Sequence, residues 1–186
     1  VVKNVFEKQM ETPNAIVLFV YHTPLEMNIR NRIMMSMLDQ LMDMLYTETV
    51  REDEGGAYGV PVNSGLSRYP QEEATVQIQL PTAPEKRERM TEIVYKGVET
   101  MVNNGPKEED LKKVKEYLLR SHEESLKKNG YWMNQMASYV LYGEENVAPY
   151  VETVNNITAA DIQELPRRIF KSGNCIEVGM TSPVAQ

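Results

Sequence analysis

Residues 74–80 place the tightest limit on the fold. Ala74, Val76, Ile78 and Leu80 alternate there with Thr75, Gln77 and Gln79. Successive side chains of a strand point to opposite faces, so this segment belongs to a sheet with one covered face and one polar face. The preceding stretch, Ala57–Ser67, reads as extended, and Arg68–Glu73 connects the two as an antiparallel hairpin. Ile16–Val20, short, apolar and rich in β-branched residues, predicts a buried strand, and Asn174–Met180 a closing one.

The covering layer is helical. Glu26–Tyr46 carries Ile29, Ile33, Met34, Met37, Leu38, Leu41, Met42 and Leu45 at helical spacing. Six of the 12 methionines fall between Met27 and Met44, which suits a deeply buried core helix or an adaptable peptide-binding groove. Thr82-Ala-Pro-Glu85 has the form of a capping box and predicts a helix running to about Asn103, stopped by Gly105-Pro106. The next helix has Glu108, Glu109 and Asp110 in its first turn, where the helix dipole favours acids. Its stripe is Leu111, Val114, Leu118 and His122, and Asn129-Gly130 reads as its stop. Tyr131–Tyr142 resumes as a helix carrying Trp132, Met136, Tyr139 and Val140, and Thr158-Ala-Ala-Asp161 announces a last one with Ile162, Leu165 and Ile169. The fold class expected is α+β, a mainly antiparallel sheet with helices packed on one face, as a single domain over residues 1–186.

Composition narrows the partners. Of 186 residues, 41% are hydrophobic and 25% charged, as in a globular domain. A net charge of −7 argues against nucleic acid, whose phosphates require a basic surface. No run approaches the roughly 18 apolar residues of a membrane-spanning helix. Val1–Glu7 lacks a signal-peptide pattern and reads as the continuation of a longer chain. The single cysteine, Cys175, excludes an intrachain disulfide and suits a small buried hydrophobe. Only two histidines are present, His22 and His122, neither in an H-x-x-E-H or H-E-x-x-H frame, so the chain lacks the converging ligands of a zinc site. Nucleophile elbows and phosphate-binding loops are also missing from the sequence.

One stretch combines residue types that suit peptide chemistry. In Arg51-Glu-Asp-Glu-Gly55-Gly56-Ala-Tyr58-Gly59 a planar cation, a glycine turn and a phenol meet where a helix hands over to a strand. Arg51 is able to hold a carbonyl or carboxylate, and the Tyr58 hydroxyl to donate to an oxyanion. The same residues also suit a surface Arg–Glu pair, a loop and a tyrosine packed at a strand start.

The pattern R-E-x-x-G-G-x-Y-G resembles the second-half signature of the pitrilysin/insulinase family of zinc peptidases. Its flanks agree in order: Thr12-Pro-Asn-Ala-Ile-Val-Leu-Phe19 upstream, Gly105-Pro106 with Glu108-Glu-Asp-Leu111 downstream, then Asn156-Ile-Thr-Ala-Ala-Asp-Ile162 before the last strand. The likeness runs from about Val5 to Met180, nearest to the C-terminal domain of long bacterial members. The resemblance implies a non-zinc, substrate-binding domain of a metallopeptidase, a fragment not active alone. In the complete enzyme Arg51 would bind the substrate backbone and Tyr58 would both bind it and stabilise the transition state. It implies no cofactor in this chain and zinc in a companion N-terminal domain. It implies as partners the upstream domains of the same polypeptide and a peptide or unfolded-protein substrate. It also implies a periplasmic or envelope setting, with the cytoplasm as alternative. A catalytically inactive scaffold of the same fold is the rival expectation, and peptide capture by strand addition at the sheet edge is a third.

Overall fold

The computed structural model describes residues 2–52 and 59–183. The strands are β1 (Val2–Glu7), β2 (Ala15–Pro24), β3 (Val62–Ser67), β4 (Glu73–Thr82) and β5 (Cys175–Thr181). The helices are α1 (Ile29–Glu52), α2 (Arg87–Asn104), α3 (Glu108–Ser125), α4 (Asn129–Tyr142), α5 (Tyr150–Asn156) and α6 (Ala159–Phe170). One sheet of order β1-β5-β2-β4-β3 results, antiparallel except where β1 runs parallel to β5. The α+β reading therefore holds.

The register places Val17 beside Leu80, Phe19 beside Ile78 and Tyr21 beside Val76, all buried on the face the helices cover. The opposite face differs between strands. On β4 it is polar, as the alternation predicts, but on β2 and β5 it carries Ile16, Leu18, Val20, Val178 and Met180, only half-buried. Ile16–Val20 is thus a half-covered rather than a fully buried strand.

α1 supplies the centre of the core through Ile33, Met34, Met35, Met37, Leu38, Leu41, Met42, Tyr46 and Val50. Those methionines are core, not groove. Tyr46 lies across α2, its hydroxyl donating to the Val94 carbonyl at 2.9 Å. Gly97 makes that approach possible, because a Cβ there would sit 2.3 Å from Tyr46 Cε1.

Several boundaries differ from the sequence expectations. α1 continues to Glu52, six residues past Tyr46, held by Tyr46 and Val50 inside the core. Regular pairing of β3 starts at Val62, residues 59–61 before it belong to no strand, and Ala57 and Tyr58 lie outside the described residues. The helix expected from Thr82 starts later: Thr82 ends β4, Pro84–Lys86 makes a 3₁₀ turn, and α2 begins at Arg87, with no side-chain cap from Ala83 or Lys86. Asn129-Gly130 opens α4 instead of closing α3, which ends at Ser125. The box at Thr158 is real, with Asp161 N–H donating to Thr158 Oγ1 at 3.2 Å and Thr158 N–H to Asp161 Oδ2 at 2.8 Å.

Candidate functional site

The site begins at the end of α1, about 36 Å from its start at the usual rise per residue. Arg51 stands in the last turn of α1. A cation is favoured there by the partial negative charge of a helix C-terminus. Tyr58 and residues 53–57, which the sequence reads as a turn, lie outside the described residues. The chain returns at Gly59, and Val60 and Val62 are buried.

What surrounds the junction is well anchored. Val62 N–H donates to Asp43 Oδ1 at 3.0 Å, and the Ser64 hydroxyl donates to the Met35 carbonyl at 3.1 Å. Side chains and backbone of α1 thus satisfy groups of β3, the edge strand, which otherwise would face solvent. Burial raises the carboxyl of Asp39 to about 6, against hydrogen bonds from Ser64 that oppose the rise. Its Oδ1 is buried without a hydrogen-bond partner. One turn before Arg51, Glu48 takes Lys107 through both carboxylate oxygens, at 2.9 and 2.7 Å. This pair fastens α1 to the start of α3, and a groove of about 570 Å³ runs beside it between Asp43, Met44, Thr47 and Lys113.

The remaining sequence candidates fall elsewhere. His22 is half-exposed near the end of β2, 3.9 Å from Glu73. His122 is buried, stacked on Tyr150 at 4.1 Å and edge-on to Tyr131 at 5.9 Å. Burial lowers its basicity, partly offset by Glu123. Cys175 is buried at the start of β5, and burial raises its thiol. Zinc does not fit these residues: the described residues contain no group of three or more His, Cys, Asp or Glu able to hold a metal ion. No helix among the described residues is long and apolar enough to cross a membrane.

Two polar clusters escaped the sequence reading. Glu144 accepts from Arg32 at 3.1 Å, from Ser138 at 3.0 Å and from Arg68. Burial pushes its carboxyl up, but Ser138, Asn146 and Arg32 outweigh that and hold it below the usual range. Lys3 bonds Tyr95 and Glu177, each at 2.8 Å, tying β1 to α2 and β5. Neither cluster has a sequence signal, because the partners lie up to 174 residues apart and meet only in the fold.

With this geometry in place, known proteins supply the frame. Residues 2–118 match the family model described as the peptidase M16 inactive domain. Among solved structures, the periplasmic protease PqqL of Escherichia coli superposes with a TM-score of 0.81 at 13% identity, over 96% of this chain and 20% of that one. A peptidase M16 inactive domain from Pseudomonas fluorescens gives 0.77 at 17% identity, over 99% of this chain and 44% of that one. A protease from Helicobacter pylori gives 0.74 at 16%, over 96% and 43%. The chain thus spans about a fifth of the first and under half of the other two. A comparison with the curated proteins gives no match. Matched over more than half its length, the chain belongs to the peptidase M16 family, in its inactive-domain branch.

Proposed function

We propose that this chain is the substrate-handling, non-zinc domain of a zinc metalloendopeptidase, working with upstream domains of the same polypeptide. The observation that carries this reading is the family match across the α1–β3 junction, where Arg51 and Tyr58 stand seven residues apart. A guanidinium suits a peptide carbonyl, and a phenol seven residues on suits a developing oxyanion. Catalytic zinc is assigned to the companion domain, in keeping with the description of this family's domain as inactive. Peptides or unfolded segments are the substrate class. The periplasmic relative of Escherichia coli supports an envelope setting.

The test is Tyr58→Phe in the complete enzyme. Removing one oxyanion donor costs roughly 10²–10³ in kcat. Unchanged kcat/KM on peptide substrates would leave Tyr58 a packing residue only. The rival, an assembly domain without a substrate role, draws on the description of the family as inactive. It predicts that Arg51→Ala and Tyr58→Phe leave turnover untouched while deletion of the domain dissociates the enzyme.

A further inference from the structure

α4 is amphipathic the wrong way round. Its stripe of Tyr131, Gln135 and Ser138 faces the domain, while Trp132, Met133, Met136, Tyr139 and Val140 face outward. At 3.6 residues per turn those five outward side chains fall within an arc of about 120°. None of the helix's residues is buried, and Val140 is 80% exposed. The segment 129–142 also contains no charged residue, in a chain that is 25% charged.

The helix is nonetheless held firmly from behind. The Tyr131 hydroxyl lies 3.4 Å from His122 Nδ1, and Trp132 Nε1 donates to the Leu126 carbonyl at 2.8 Å. Ser138 is bonded to Glu144, and the Tyr142 ring packs 4.6 Å from the Arg68 guanidinium. Gly143, left-handed at φ 71°, closes the helix by donating to the Tyr139 carbonyl at 2.8 Å. Polar tethers fix the inner stripe, so the apolar stripe is presented rather than displaced. A groove of about 560 Å³ runs along it, lined by Trp132, Met136, Tyr139, Val140, Val147 and Ala148.

We infer that the outer stripe of α4 is the seat of the companion part of the same polypeptide, which docks an uncharged, apolar surface there. This rests on the reading that the chain works within a larger protease. Three observations select that occupant. In three of the solved relatives the match takes up only 20% to 44% of the chain, so those proteins carry further chain beyond it. The five outward side chains expose roughly 600 Å², one side of an inter-domain interface of ordinary size. Substrate handling is proposed at the far end of α1, about 30 Å from the Ile29–Ile33 turn that shares a cleft with Tyr131 and Gln135. A membrane surface fits poorly, because interfacial helices carry lysine and arginine beside their apolar face and this one carries none.

The experiment is hydrogen exchange of residues 129–142 in the complete polypeptide and in the 186-residue chain, with and without the double variant Met136→Glu, Val140→Glu. Docking predicts exchange at least about tenfold slower in the complete polypeptide, lost in the variant. The variant should leave the melting temperature of the 186-residue chain unchanged, which separates lost docking from misfolding. Equal exchange rates in both proteins overturn the inference. So does protection of the 186-residue chain by added peptide substrate alone, which would make the stripe a substrate surface. Tyr58→Phe reports separately on the substrate-handling role: lost turnover or kept turnover with α4 still protected leaves the docking inference standing.

Discussion

α1 and α4 are both rich in methionine and aliphatic residues, yet one is the centre of the core and the other buries nothing. α1 places charges such as Arg30, Arg32 and Glu48 at its margins and Met34, Met35, Met37 and Met42 in the core. α4 has no charge to mark an outer side, and its polar stripe is the one the domain grips. Apolar periodicity therefore identifies a stripe that needs covering, but what covers it depends on which neighbours arrive. For α1 the neighbours are in this domain; for α4 they are not among the described residues.

The largest effect expected on the α1 side comes from Leu38→Ala. Leu38 is fully buried, and truncations of this kind cost about 2–5 kcal/mol through lost transfer energy and the cavity left behind. Urea unfolding of the 186-residue chain measures it. A loss below about 1 kcal/mol would mean that the core relaxes around α1 as freely as a surface does. Next comes Gly97→Ala. Alanine is the better helix former by about 1 kcal/mol, but its Cβ would meet Tyr46 at 2.3 Å. Overpacking of about 1–3 kcal/mol should win, giving a net loss of stability. A stabilised variant would show that Tyr46 can leave its place over α2.

Much of this contrast was legible beforehand, and its limits have physical causes. The β4 alternation, the α1 core stripe and the Thr158 cap are local patterns, and each appears where the sequence puts it. Thr82-Ala-Pro-Glu85 has the same letters as a cap, but Thr82 is consumed by the last pair of the β2–β4 ladder, opposite Ala15. β1 was unreadable because it is exposed along its whole length and is recruited by parallel pairing with β5, at the other end of the chain. The same holds for the Arg32–Glu144–Arg68 cluster that orients α4. At the site, sequence fixes the seven-residue spacing of Arg51 and Tyr58, and the fold adds that position 51 lies in the last turn of α1. Their roles stay with the Tyr58→Phe experiment.

A smaller effect probes the α1 margin through pH. The Asp39 carboxyl is raised to about 6 by burial, so the folded chain binds a proton more tightly than the unfolded one. Its contribution to stability is then full below about pH 4, is lost as pH rises towards 6, and stays lost above that. Asp39→Asn removes the dependence. After discounting for a position that is only partly buried, the variant should gain about 1 kcal/mol over wild type at pH 7 and nothing at pH 3.5. A gain of equal size at both values would point to packing rather than charge.

The smallest effect belongs to α4, and it is the sharpest test of the contrast. Val140→Ser removes two methyl groups from a side chain that is 80% exposed. Within the 186-residue chain these methyls are already in water, so folding transfers almost nothing and unfolding stability should move by less than about 0.5 kcal/mol. Tyr131→Ala, on the inner stripe of the same helix, removes the edge-on contact with His122 and should cost about 1 kcal/mol or more. If Val140→Ser instead costs as much as Tyr131→Ala, the outer stripe is covered within this chain and α4 is a second core helix. If only the inner substitution registers, the two stripes answer to different partners, one inside the domain and one beyond it.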